Sequence, residues 1–223
     1  MRLPVPVVAT MLLLASTLTL GSPAFSLARL TDSATTNSTL ATTSWSYLHN
    51  RPTPPVGNTT AQFALSMDGS VPSAIALPNY DTNCDALAGR VIVRNTGAVT
   101  EATVCRYANW QTAVFVGGKT LNGAAIMRLH ARKATAAGTN PTLSAYLRDF
   151  NPATSTYVTL GTATAVISTD ATLPFAQYSF SWTLATSLAA GHQLELKLAA
   201  SGGNRDVNLA YDTAANASYL HLP

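Results

Sequence analysis

From about residue 62 onward, apolar and polar side chains alternate with a period of two. In an extended chain successive side chains point to opposite faces, so the pattern predicts strands with one face in a core. Phe63, Leu65 and Met67 alternate with Gln62, Ala64 and Ser66, and Val91 and Val93 sit between Arg90 and Arg94. Met127, Leu129 and Ala131 alternate with Arg128, His130 and Arg132, and Leu143, Ala145 and Leu147 with Ser144, Tyr146 and Arg148. Tyr178, Phe180 and Trp182 alternate with Ser179, Ser181 and Thr183, and Leu194, Leu196 and Leu198 with Gln193, Glu195 and Lys197. Val207, Leu209 and Tyr211 precede a last segment, Tyr219-Leu220-His221-Leu222. The gaps carry turn chemistry: Val116-Gly117-Gly118-Lys119, Leu121-Asn122-Gly123, Gly138-Thr139-Asn140-Pro141, Asp149-Phe150-Asn151-Pro152 and Ser201-Gly202-Gly203-Asn204. No helix-length period competes. The expectation is an all-β fold, an antiparallel jelly-roll-like β-sandwich over residues 61–223, with one wet face on each sheet.

The first sixty residues break the pattern. Arg2 is followed by Leu3 to Leu20, which carry no charge, and then by Ser22-Pro23-Ala24 and Ser26-Leu27-Ala28. A basic start, an apolar stretch and small residues predict a secretory signal peptide over residues 1–28, cleaved after Ala28, with Ala24 the alternative. An uncleaved anchor is the competing reading, and Pro4 and Pro6 shorten the helix it would need. Residues 29–60 read as a polar Thr/Ser- and Pro-rich lead-in, with a short alternating segment, Trp45-Ser46-Tyr47-Leu48-His49, inside it. Arg51-Pro52-Thr53-Pro54-Pro55 predicts a polyproline-like loop. The chain is therefore expected to be secreted or held at the cell surface, with no membrane contact after cleavage.

Composition narrows the function classes. Net charge is +3 over 223 residues, only 10% of residues are charged, and no Lys/Arg run exists. That argues against a dedicated nucleic-acid partner. The two cysteines, Cys84 and Cys105, have twenty residues between them. In an exported chain an even count predicts one disulfide, and closing a loop of that size stabilises by about 3 kcal/mol. Two buried thiols are the alternative.

Chemistry-bearing motifs are sparse. No G-x-S-x-G elbow is present, and the histidines (His49, His130, His192 and His221) are scattered, which reads as four surface or strand-face residues. Only two glutamates, Glu101 and Glu195, are available for paired-carboxylate chemistry, and nothing recommends a pair. The expectation is a chain that is not an enzyme and needs no cofactor. Asp81, Asn83 and Asp85 place three oxygen-bearing side chains at alternate positions, a spacing calcium loops use. Ala86 and Ile92 stand where an EF-hand needs Gly and Glu, and the same residues also suit an Asx-rich turn. Arg128, His130 and Arg132 form a basic stripe that could meet an anionic glycan or wall polymer, or be an ordinary wet face. The three tryptophans and eight tyrosines offer sugar-stacking surface or core.

Two stretches carry a resemblance. Ala28-Arg29-Leu30-Thr31-Asp32-Ser33-Ala34-Thr35-Thr36-Asn37 resembles the start of mature camelysin/TasA-like proteins, exported jelly-roll proteins of which some build biofilm matrix fibres. Tyr47 through Pro55 and onward to Tyr211-Asp212-Thr213 is similar to a group of exported bacterial β-proteins without a known activity. The signal peptide, the strand-rich body, the missing catalytic constellation and the free polar lead-in together predict an exported, self-associating structural subunit of a cell-surface or matrix assembly, with residues 29–48 free after cleavage to add as a strand to a neighbour's sheet edge. The alternative is a secreted module that binds carbohydrate or a cell-wall polymer.

Overall fold

A computed structural model describes residues 45–52, 65–72, 80–81, 90–92, 94, 96–97, 99 and 107–223. The expected signal peptide over residues 1–28, the expected lead-in up to residue 44, the proline-rich stretch after Pro52, Asn83, Asp85 and both cysteines lie outside the described residues.

Every regular element among the described residues is a strand. They are β1 (Trp45–Pro52), β2 (Leu65–Asp68), β3 (Tyr80–Asp81), β4 (Arg90–Ile92), β5 (Tyr107–Gln111) and β6 (Lys119–Lys133). After them come β7 (Thr142–Asn151), β8 (Thr156–Val166), β9 (Ala176–Leu188), β10 (Gln193–Ser201), β11 (Val207–Ala210) and β12 (Tyr219–His221). All belong to one sheet in the order β3-β4-β11-β6-β12-β1-β2-β5-β10-β7-β8, with β9 on the other edge of β6. The all-β expectation holds. The expectation of purely antiparallel pairing does not, because β2 runs parallel to β5 and β3 parallel to β4. The hydrogen-bonded order is one curled, mixed sheet. It curls until β8 packs against β9, where Gly161 sits under the Trp182 ring: a Cβ there would stand 2.6 Å from Trp182 Cδ1.

The core lies inside the curl. Met127, Leu129 and Ala131 of β6, Leu143, Ala145 and Leu147 of β7, and Leu194, Leu196 and Leu198 of β10 are all fully buried. Phe180, Trp182 and Leu184 of β9 join them, as do Trp110 and Tyr211, whose rings meet edge to face at 5.2 Å. Each large aliphatic side chain removed from water contributes about 1.5–3 kcal/mol, which is why alternation alone placed these strands. Ile92 of β4, which stands between the two valines of the sequence pattern, is fully buried.

Three local expectations change. Trp45–Pro52 is a central strand, paired with β12 and β2, and it ends at Pro52, which has no N–H to continue the ladder. Asn122-Gly123 is no turn: β6 runs through it, and Gly123 has φ +137° where a Cβ would come 2.9 Å from Pro223. The turn expected at Asp149-Phe150-Asn151-Pro152 starts later, because β7 continues to Asn151.

Candidate functional site

The outward face of β2, β1, β12 and β6 gathers most of the unusual side chains. Along β1, Ser46 and Leu48 point into the core, so Trp45, Tyr47 and His49 share the opposite face. Register sets Trp45 opposite His221 and Tyr47 opposite Tyr219 on one side, and Tyr47 opposite Asp68 on the other. Tyr219 in turn pairs with Arg128, and His221 with Ile126. The rings form a ladder. Trp45 meets Tyr219 edge to face at 4.4 Å and His221 tilted at 4.9 Å, and Tyr47 meets Tyr219 at 5.9 Å. Trp45 is 46% exposed, so the ladder opens to solvent at that end.

Beside the ladder lies a polar cluster assembled from three distant segments. His49 is 2% exposed. Its Nδ1–H donates to Asp212 Oδ1 at 2.7 Å. Its Nε2 lies 3.1 Å from Ser70 Oγ and 3.2 Å from Asp68 Oδ1. The Ser70 backbone N–H donates to Asp68 Oδ1 at 2.8 Å and its hydroxyl donates to the same oxygen, which makes 68–70 an Asx turn. Asp212 has φ +59°, a left-handed conformation Asp tolerates better than most residues. Of the surface or strand-face reading of His49 the strand face holds and the surface does not: it lies on β1, buried between two carboxylates. Because these meet opposite ring nitrogens, they do not converge on one point. Among the described residues, no group of three His, Cys, Asp or Glu side chains is arranged to hold a metal ion.

The basic stripe sits further along β6. Arg128 donates to Ser179 Oγ. Arg132 Nη1 donates to the Leu173 carbonyl at 2.7 Å, and its guanidinium lies 4.3 Å from the Phe175 ring centre. His130 is half-buried, and burial holds its imidazole below the usual histidine range. The three residues share a face as expected, but at least two of them are spoken for by their own fold. Asp81 belongs to β3, opposite Val91, and its calcium partners Asn83 and Asp85 lie outside the described residues, as do Cys84 and Cys105.

The outward face of β5, β10 and β7 differs from the expected wet face. Glu195 accepts from Arg148, from Gln111 and, at 3.0 Å, from Asn109 Nδ2. Arg148 lies over the Tyr157 ring at 4.1 Å and Lys197 over the Tyr107 ring at 4.1 Å. Glu195, Lys197 and Arg148 are only 2%, 4% and 6% exposed. The Tyr146 hydroxyl donates to the Val99 carbonyl at 3.4 Å, which brings the chain at Val99 over this face. A shallow groove of about 410 Å³, lined by Thr120, Asn122, Ala185, Thr186 and Ser187, lies elsewhere and holds no titratable group.

No protein-family model and no curated protein matches the chain. Solved structures do. An aminopeptidase from a marine-sediment Thaumarchaeota archaeon superposes with a TM-score of 0.53 at 10% identity, over 80% of this chain and 36% of that one. A CocE/NonD family hydrolase from Staphylococcus aureus gives 0.53 at 11% identity, over 81% of this chain and 36% of that one. An α-amino acid ester hydrolase gives 0.52 at 13% identity, over 82% of this chain and 36% of that one. The chain thus spans about a third of the length of these proteins, and at such identity the likeness establishes the fold alone. It still overturns the expectation of a chain outside the enzymes. That expectation rested on missing motifs, whereas the fold is one that hydrolases carry.

Proposed function

We propose that the chain is an exported, jelly-roll-type β-domain that binds carbohydrate on the outward face of β1 and β12. The observation that carries this reading is the aromatic ladder Trp45–Tyr219–Tyr47, half-open to solvent at Trp45. An aromatic face offers a dry, polarisable surface to the C–H side of a sugar ring, while hydrogen bonds at the rim fix its hydroxyls. Asp68 and Arg128 flank the ladder on the neighbouring strands and give its rim a polar border. The matrix-subunit reading places its donor strand on residues 29–48, of which 29–44 lie outside the described residues, so the ladder is the better supported basis.

Binding is tested with the mature secreted chain, titrated against soluble oligosaccharides while indole fluorescence is followed, and spun down with insoluble wall polysaccharide. A saturable shift that becomes about tenfold weaker in Trp45→Ala is expected. No response across neutral, acidic and amino-sugar polymers, or a response unchanged in Trp45→Ala, overturns the reading.

A further inference from the structure

We propose that Ser70, His49 and Asp212 form a nucleophilic triad that cleaves carboxylic esters. A serine hydrolase centre is recognised by geometry and roles, not by sequence position. The roles are filled here. Asp212 accepts from His49 Nδ1 at 2.7 Å, and Nε2 faces both Ser70 Oγ at 3.1 Å and Asp68 Oδ1 at 3.2 Å, the carboxylate that holds the Ser70 hydroxyl in the resting state. The distances to Asp212 and Ser70 fall within the hydrogen-bond reach a general base requires. The ring cannot swing away, because His49 is 2% exposed and held from both sides, whereas Ser70 is exposed at the tip of its turn. The turn also neighbours the ladder: a Cβ on Gly69 would stand 3.7 Å from the Trp45 carbonyl oxygen.

In the resting state the Ser70 hydroxyl donates to Asp68 Oδ1. Rotation about its Cβ–Oγ bond turns the proton to His49 Nε2. As Oγ attacks the ester carbonyl carbon, the proton passes to Nε2 and a tetrahedral oxyanion forms. Collapse breaks the bond to the alcohol oxygen, which takes the proton from Nε2 and leaves. Water, deprotonated by Nε2, then attacks the acyl-serine; the acid leaves and Ser70 regains its proton. No co-reactant beyond water is needed. Ser70 and His49 are the catalytic residues, and Asp212 is the positioning residue that fixes the imidazole.

The mature chain is treated with a fluorophosphonate probe and the adduct is located by peptide mass mapping; p-nitrophenyl acetate turnover is followed in parallel. A single adduct on Ser70 is expected, with turnover about 100-fold lower in Ser70→Ala. Asp212→Asn is expected to lower kcat with KM unchanged, which a purely structural role would not do. No adduct, an adduct on another residue, or wild-type turnover in folded Ser70→Ala overturns the triad. The proposal is independent of carbohydrate binding: Ser70→Ala removes ester cleavage and spares binding, whereas Trp45→Ala weakens binding while fluorophosphonate labelling of Ser70 persists.

Discussion

The two outward faces of the sheet come from the same alternation and end differently. On β5, β10 and β7 the outward residues Asn109, Gln111, Glu195, Lys197 and Arg148 are all at most 8% exposed. On β1 and β12 the outward residues are aromatic, and Trp45 is 46% exposed. The sealed face buries a row of charged side chains and the open face exposes the Trp45 end of an aromatic ladder, the reverse of a simple division by polarity. The sealed charges are tolerable because each has a partner one strand away: Gln111, Glu195 and Arg148 stand in a single row of the register. The open face keeps its rings because they pack on one another.

The largest expected effect comes from breaking the sealed row. Glu195→Ala strands Arg148 without its carboxylate, and removing one partner of a buried pair costs about 3–5 kcal/mol. Because the loss is the desolvation of the orphan, Glu195→Ala with Arg148→Ala should cost less than the sum of the single changes. Chemical denaturation measures both. Equal additivity would mean that the row is wetter than its burial implies.

The halves of the sheet meet where Gly161 faces Trp182. A methyl group there has to displace a ring that is itself 5% exposed, so Gly161→Ala should destabilise by about 1–3 kcal/mol. Gly161 has ordinary backbone torsion, so the loss would reflect packing between β8 and β9 and not backbone freedom. A smaller effect follows on the open face. Trp45→Ala removes a half-exposed ring and should shift stability by about 1 kcal/mol or less, even as it abolishes the surface on which binding depends. A large stability loss from Trp45→Ala would make the ladder part of the core and remove the contrast.

Much of the fold was legible. The inward residues of β6, β7, β9 and β10 follow period two without a break, since burying Leu, Met and Phe on one side dominates the energetics of those strands. β8 was not legible: Thr156–Val166 is rich in Thr, Ala and Gly, lies at the end of the sheet order and shifts register between Leu147 and Arg148 of its partner. The aromatic alternation of β1 was visible, but its place in the middle of the sheet depends on β12, at the far end of the chain. The candidate site was hidden for the same reason. His49 and Asp212 are 163 positions apart, and no local motif marks a contact made only by the sheet's closing order. Alternation also cannot tell whether an outward face meets water or more protein, which is why Glu195 and Lys197 read as solvated.

The smallest effect separates the two faces by the direction of their pH dependence. On the sealed face, the Tyr107 phenol is raised above the usual tyrosine range by burial first and then by the Glu195 carboxylate, with Arg148 opposing. A raised group contributes stability that is intact below its unfolded pKa of about 10 and lost as pH rises through the folded value. On the outward side of β6, burial lowers the His130 imidazole, so the folded state resists protonation and stability falls as pH drops below about 6.5. The melting temperature should therefore decline at both ends of the range. Tyr107→Phe should flatten only the alkaline limb, and His130→Gln only the acid limb. A His130→Gln variant that keeps the full acid limb would move that limb to the carboxylates. A Tyr107→Phe variant that keeps the full alkaline limb would mean that water reaches the face its neighbours seal.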